Sequence, residues 1–168
     1  MVALGLKKAG QYKEALQSLD QAIESLLGLN AHLAKQLEDS LLLDMFTFQG
    51  RLDVERLLVL ADIYCEESEV YTLQGQHESS QFAAQRSLRF YLEASLASEA
   101  DLNLELIQKI EALRLNLASP TLPVEIRLAL LDYLDRLLVL DDDFLTAAGL
   151  SRPDLLASFS SLDSPDLH

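Results

Sequence analysis

The stretch GQYKEALQSLDQAIESL, Gly10 to Leu26, decides how the rest of the chain is read. Tyr12, Ala15, Leu16, Leu19, Ala22, Ile23 and Leu26 recur at the three-and-four spacing of a helix with one buried face. Gln11, Glu14, Gln17, Asp20, Gln21 and Glu24 fall mostly outside that stripe. Gly10 can turn the chain into this helix and Gly28 can end it, since glycine takes the left-handed conformation at helix ends. A helix over 11–27 is predicted.

The same pattern runs through the remaining sequence. Leu33, Leu37, Leu41, Met45 and Phe48 predict a second helix over 31–48, closed by Gly50. Asp53 can cap a helix over 54–74, carried by Leu57, Ala61, Tyr64, Ser68 and Tyr71 and ended by Gly75. A fourth helix is predicted over 78–97, with Ala84, Leu88, Tyr91 and Leu92 inward. From the candidate cap Asp101 the pattern runs to Leu117, until SPTLP removes backbone donors at Pro120 and Pro123. Pro123 suits the first turn of a helix reaching Leu140, and Asp141–Asp143 suits a cap for a short helix over 143–148. From Ser151 the proline and serine breaks predict a flexible acidic tail over 151–168. Alternation of the strand type is absent from every segment, and helices joined this closely pack antiparallel. The expectation is an all-α chain of six or seven helices, a single domain over 1–150.

Composition agrees. Roughly a quarter of the 168 residues are Leu, which keeps its rotamer freedom in a helix. The formal charge is −14, from 27 acidic against 13 basic residues, so phosphate backbones and anionic lipid are repelled. Nucleic acid and membrane are therefore excluded as expected partners. No apolar run reaches the roughly 20 residues of a membrane span, and Cys65 is the sole cysteine, which fits a cytoplasmic protein.

KKAGQYKEALQSLDQAI (7–23) aligns with TLQGQHESSQFAAQRSL (72–88) when Gly10 is set on Gly75. Tyr12 then faces His77, Ala15 faces Ser80 and Ala22 faces Ser87, while Tyr64, Ser68 and Tyr71 precede the second glycine. This resembles the tetratricopeptide repeat, a helix-turn-helix unit with a corner glycine, an aromatic two residues on, and small residues at the helix crossing. The layout also looks like a group of bacterial helical-repeat proteins with the opening LGLKKAGQYKEAL. The resemblance implies a short right-handed array of stacked antiparallel hairpins, with repeats near 1–27 and 54–97 and a C-terminal hairpin over 101–140. Its packing residues would be Gly10, Tyr12, Ala15, Ala22, Tyr64, Ser68, Tyr71 and Gly75. Gln81 and Ala84 depart from the pattern, as do residues 31–53. The resemblance also implies that the opening helix is the second half of a clipped repeat, with Leu4 and Leu6 in the short stub before it.

Residues that could carry chemistry are sparse. His32, His77 and His168 are scattered and form no Glu-x-x-His pair, and no zinc, haem, calcium-loop, phosphate-loop or nucleophile-elbow pattern occurs. No cofactor, metal or catalytic residue is expected. The repeat resemblance would put Asp62, Cys65, Glu69 and Thr72 along a concave groove for a protein or peptide, the bland alternative being a solvated face in an acidic protein. The expected function is thus non-enzymatic: an interaction module that binds another protein, or a second copy of itself, through a groove or an apolar helix face. The alternative is a small-ligand-binding or enzymatic helical domain with Tyr64, Tyr71 and Glu67 in a pocket between helices.

Overall fold

The computed structural model describes residues 11–97, 102–117 and 122–163. Gly10, the stub before it with Leu4 and Leu6, Asp101, Pro120 and His168 lie outside them. The protein is all-α, with nine helices among the described residues: α1 (Tyr12–Leu27), α2 (Ala31–Gln36), α3 (Asp39–Met45), α4 (Val54–Leu73), α5 (His77–Ala97), α6 (Leu104–Asn116), α7 (Val124–Leu138), α8 (Asp142–Ala147) and α9 (Arg152–Asp163). Contacts group the chain into two compact units, one through Phe90 and one from Tyr91, with the boundary inside α5.

In the first unit α1 buries Ala15, Leu19 and Ile23 and packs on α4. Asp53 caps α4 by accepting from the Arg56 amide at 3.2 Å, and Gly75 ends the turn after it with φ +74°. α4 and α5 form an antiparallel hairpin whose close approach runs through small side chains. The Ser87 hydroxyl donates to the Ala61 carbonyl at 2.7 Å, and Ser80 donates to the Ser68 carbonyl at 2.9 Å. A larger residue at either serine would hold the axes apart.

The helix predicted over 31–48 is not continuous. Leu37 and Glu38 adopt extended backbone with ψ 145° and 152°, and this separates α2 from α3. Thr47–Phe48 and Arg51–Leu52 then pair as a two-stranded antiparallel hairpin, β1 and β2, with Gln49 and Gly50 at φ +52° and +76°. Two successive left-handed residues make the tight turn whose twist suits a hairpin. The break shifts the buried set to Ala31, Ala34, Leu42 and Phe46. Four of the five residues of the predicted stripe, Leu33, Leu41, Met45 and Phe48, are instead exposed, Phe48 by 76%.

The second unit packs α7 on α9. Arg114 grips Glu111 through two hydrogen bonds of 3.0 and 2.6 Å and reaches Ser158 at 3.2 Å, while the Tyr133 hydroxyl donates to Glu111 at 3.2 Å. These contacts tie α6, α7 and α9 together. α6 starts from Asn103, whose side chain accepts from the Leu106 amide at 2.7 Å. Asp141 caps α8 by accepting from the Phe144 amide at 2.7 Å.

From Ser151, where a flexible tail is expected, the chain forms α9 and buries Leu155 and Leu162. The prolines mislead there: Pro153 occupies the first turn, where its missing donor costs nothing, and Ser151 accepts from the Asp154 amide at 3.3 Å.

The α4–α5 crossing predicts a graded response at Ser87, which is fully buried. Ser87→Ala should cost about 1 kcal/mol through the lost hydrogen bond. Ser87→Leu should cost about 1–3 kcal/mol more through overpacking, read as an ordered fall in thermal midpoint.

Candidate functional site

Two cations organise the polar interior of the first unit. Arg86 sits on the inward face of α5 and is 3% exposed. Its Nη1 donates to the Ala34 carbonyl at 2.9 Å and to the Tyr64 hydroxyl at 3.3 Å, and its Nη2 donates to the Leu37 carbonyl. Its Nε meets Asp39 at 2.8 Å, and its plane lies over the rings of Tyr64 and Phe82 at 5.3 and 4.8 Å. The guanidinium thus satisfies carbonyls orphaned at the end of α2 and a carboxylate in the first turn of α3. One side chain holds both sides of the break at Leu37–Glu38.

The second cation is Lys35 on α2. Its Nζ lies 2.9 Å from Glu67 and 3.9 Å from Asp20, and donates to the Tyr71 hydroxyl at 3.1 Å. Glu67 is 1% exposed, and one of its oxygens, Oε2, has no hydrogen-bond partner among the described residues. Burial raises the pKa of Glu67, although Lys35 and Tyr71 act the other way. Burial alone would depress Lys35, but the charge of Glu67 and hydrogen bonds to Glu67 and Tyr71 outweigh it and raise the pKa. Asp20 is raised by burial, against the pull of Lys35.

The expected groove residues Asp62, Cys65, Glu69 and Thr72 follow one another at intervals that place them on one face of α4. Asp62 and Cys65 are half-buried, whereas Glu69 and Thr72 are exposed. Thr72 is engaged within the hairpin: its hydroxyl donates to the Ser68 carbonyl at 2.9 Å and lies 2.6 Å from that of Ser80. Of the expected packing residues, Ala15, Tyr64 and Ser68 are buried, Tyr12, Ala22 and Tyr71 half-buried, and Gly75 stands at the hairpin corner. Tyr64 packs against Phe90 with ring centroids 6.2 Å apart. Tyr64 and Tyr71 carry a task that their spacing alone does not reveal, since their hydroxyls receive the two cations. Among the described residues His32 and His77 are exposed, and no three His, Cys, Asp or Glu residues converge as a metal site.

Sequence reasoning missed Lys35, Arg86, Asp39 and Asp20. Arg86 left a signal: it lies between Ala83 and Phe90, three residues before and four after, which are both buried. Lys35 and Glu67 are 32 positions apart and left none.

The fold and these contacts define an all-helical protein whose polar interior is structural in geometry, with exposed apolar side chains outside it. Comparison of the chain with protein-family models, curated proteins and solved structures finds no match. No helix among the described residues is long and apolar enough to cross a membrane.

Two outcomes test the interior. Arg86→Met leaves the Asp39 carboxylate and the Ala34 and Leu37 carbonyls without their donor, and should cost about 3–5 kcal/mol in urea unfolding. Arg86→Lys should recover only part of that, because an ammonium lacks the planar fork. For Glu67 the raised pKa means that the folded state binds this proton more tightly than the unfolded state. Its contribution to stability is therefore full below the ordinary glutamate range and is lost as pH rises through the folded value. Relative to Glu67→Gln, the wild type should become less stable as pH rises from about 4 to 7, read from urea midpoints at both pH values.

Proposed function

We propose that this protein is a non-enzymatic interaction module, a tetratricopeptide-like array of helical hairpins that binds a partner protein or peptide through an apolar face of the first unit. The repeat reading draws support from the α4–α5 hairpin with its serine crossing and its corner at Gly75, and from the packing of α1 on α4. In such an array α1 is the second helix of one unit and α4 the first of the next, with residues 31–52 inserted between them.

The observation that carries the binding role is the exposure of large apolar side chains on α2, α3 and β1. Leu33, Leu41, Met45 and Phe48 are 46%, 48%, 43% and 76% exposed, and Leu41 and Met45 are neighbours one turn apart on α3. Exposed single apolar residues are ordinary, but the adjacent pair on α3, with Leu33 and Phe48 exposed before and after it in the chain, is the kind of surface a partner would cover. The groove of Asp62, Cys65, Glu69 and Thr72 is the competing surface of the same module.

A second reading rests on Glu67. Its unpartnered buried oxygen beside Tyr71 and Lys35 would suit a small polar ligand entering between the helices. A ligand-induced rise in thermal midpoint that Glu67→Gln abolishes would favour it.

Affinity capture from native cell extract separates the surfaces. The combined Leu41→Lys and Met45→Lys variant should lose the captured partner, with helix content unchanged by circular dichroism, while Asp62→Lys with Glu69→Lys retains it. The reverse pattern would move the site to the α4 groove. Partners unchanged in both variants would count against the module.

A further inference from the structure

We infer that the outer face of α7 is a second docking surface, and that its occupant is a basic amphipathic helix. This extends the interaction reading to the second unit and does not depend on the row on α2 and α3. At 3.6 residues per turn, Leu131, Val124, Asp135, Leu128, Val139, Asp132 and Glu125 fall, in that order, within about a third of the circumference of α7, Val139 being the residue that caps its C-terminus in helical backbone. Val124, Leu128 and Val139 are 62%, 57% and 80% exposed, and Asp132, Asp135 and Glu125 are exposed beside them.

The opposite arc is fully committed. Ile126, Ala129, Leu130, Tyr133, Leu134 and Leu137 are buried. The helix therefore has one face that packs inside its unit and another that is largely apolar, with Asp135 within the stripe and Asp132 and Glu125 along one edge of it.

The charges on that outer arc have one sign. Both arginines of α7 lie off it and are used within the unit: Arg127 donates to the Leu162 carbonyl at 3.0 Å, and Arg136 donates to the Ser95 carbonyl. The outer arc thus offers aliphatic contact along its length, with three carboxylates and no cation among its seven residues. The complementary surface is a helix with its own aliphatic stripe bordered by Lys or Arg. Such a partner buries the aliphatic contacts and sets its cations against Asp132 and Glu125 at the solvated edge and against Asp135 along the stripe, where the pairs steer association and set orientation. A neutral apolar helix gains nothing from the carboxylates, and an acidic one is repelled by them.

A synthetic Leu/Lys amphipathic peptide of about 18 residues, fluorescently labelled, is the probe. Saturable anisotropy binding to the full chain is expected, weakening with added salt. Leu128→Lys should weaken it by about tenfold or more, because it removes a central contact and adds a like charge. Asp132→Lys with Asp135→Lys should weaken it comparably and flatten the salt dependence. All three positions are exposed, so circular dichroism should match the wild type. The Leu41→Lys and Met45→Lys variant should bind the peptide normally, which separates this surface from the first one.

Equal affinity for the wild type and Leu128→Lys would overturn the inference. So would equally tight binding of a scrambled peptide of the same composition, since bulk charge would then suffice. A dimer seen by sedimentation that Leu128→Lys dissociates, with no peptide binding to the wild type, would give the face to a second copy instead.

Discussion

The guanidinium of Arg86 is the constraint on which the first unit depends. A helix that ends inside a protein leaves carbonyls without donors, and burying them unpaired costs more than most single contacts return. Between α2 and α3 the chain stops being helical, and Arg86 reaches the Ala34 and Leu37 carbonyls and the Asp39 carboxylate. With those groups satisfied, the break is tolerated. The break changes the phase of the helical pattern, and the change of phase carries Leu41, Met45 and Phe48 to the outside. The exposed row and the buried cation are two ends of one arrangement.

The second unit repeats the device at smaller scale. Arg152, at the start of α9, reaches the Leu138 carbonyl at the end of α7 and the Leu140 carbonyl just beyond it, and pairs with Asp142 at 2.9 Å. An arginine later in the chain closes an earlier helix end in both cases. The planar fork suits this task, since it addresses two acceptors in fixed geometry, which an ammonium does not. The Lys35–Glu67 pair is of a different kind. Burying two charges costs several kcal/mol, which their attraction offsets only with good geometry, and here one carboxylate oxygen remains without a partner. Without Lys35, burial would act on Glu67 unopposed by its nearest cation and favour the neutral carboxyl.

Local patterns were legible in the sequence and long-range polar contacts were not. Helix α1, the cap at Asp53, the corner at Gly75 and the short α8 follow from periodicity and capping chemistry, which act over a few residues. The break at Leu37–Glu38 has no proline or glycine to announce it, and the leucine spacing runs straight across it. Only a residue 49 positions later, Arg86, makes the interruption stable. α9 was obscured for the opposite reason: Pro153 reads as a breaker, yet at the first turn it starts a helix. Tyr64 and Tyr71 were visible as packing rings, and Glu67 as a polar group among them, but the cations that converge on them were not.

The net charge bears on what can cover the exposed faces. At −14, two copies of this chain repel each other, and the repulsion is felt within about 8 Å of the surface at physiological ionic strength. The face of α7 carries its own three carboxylates, so bringing it against an identical face sets like charges together. A basic partner turns the same field into attraction and gains in association rate as well as in pairing. The apolar residues supply the contact area in either case; the carboxylates beside them decide which partner can use it.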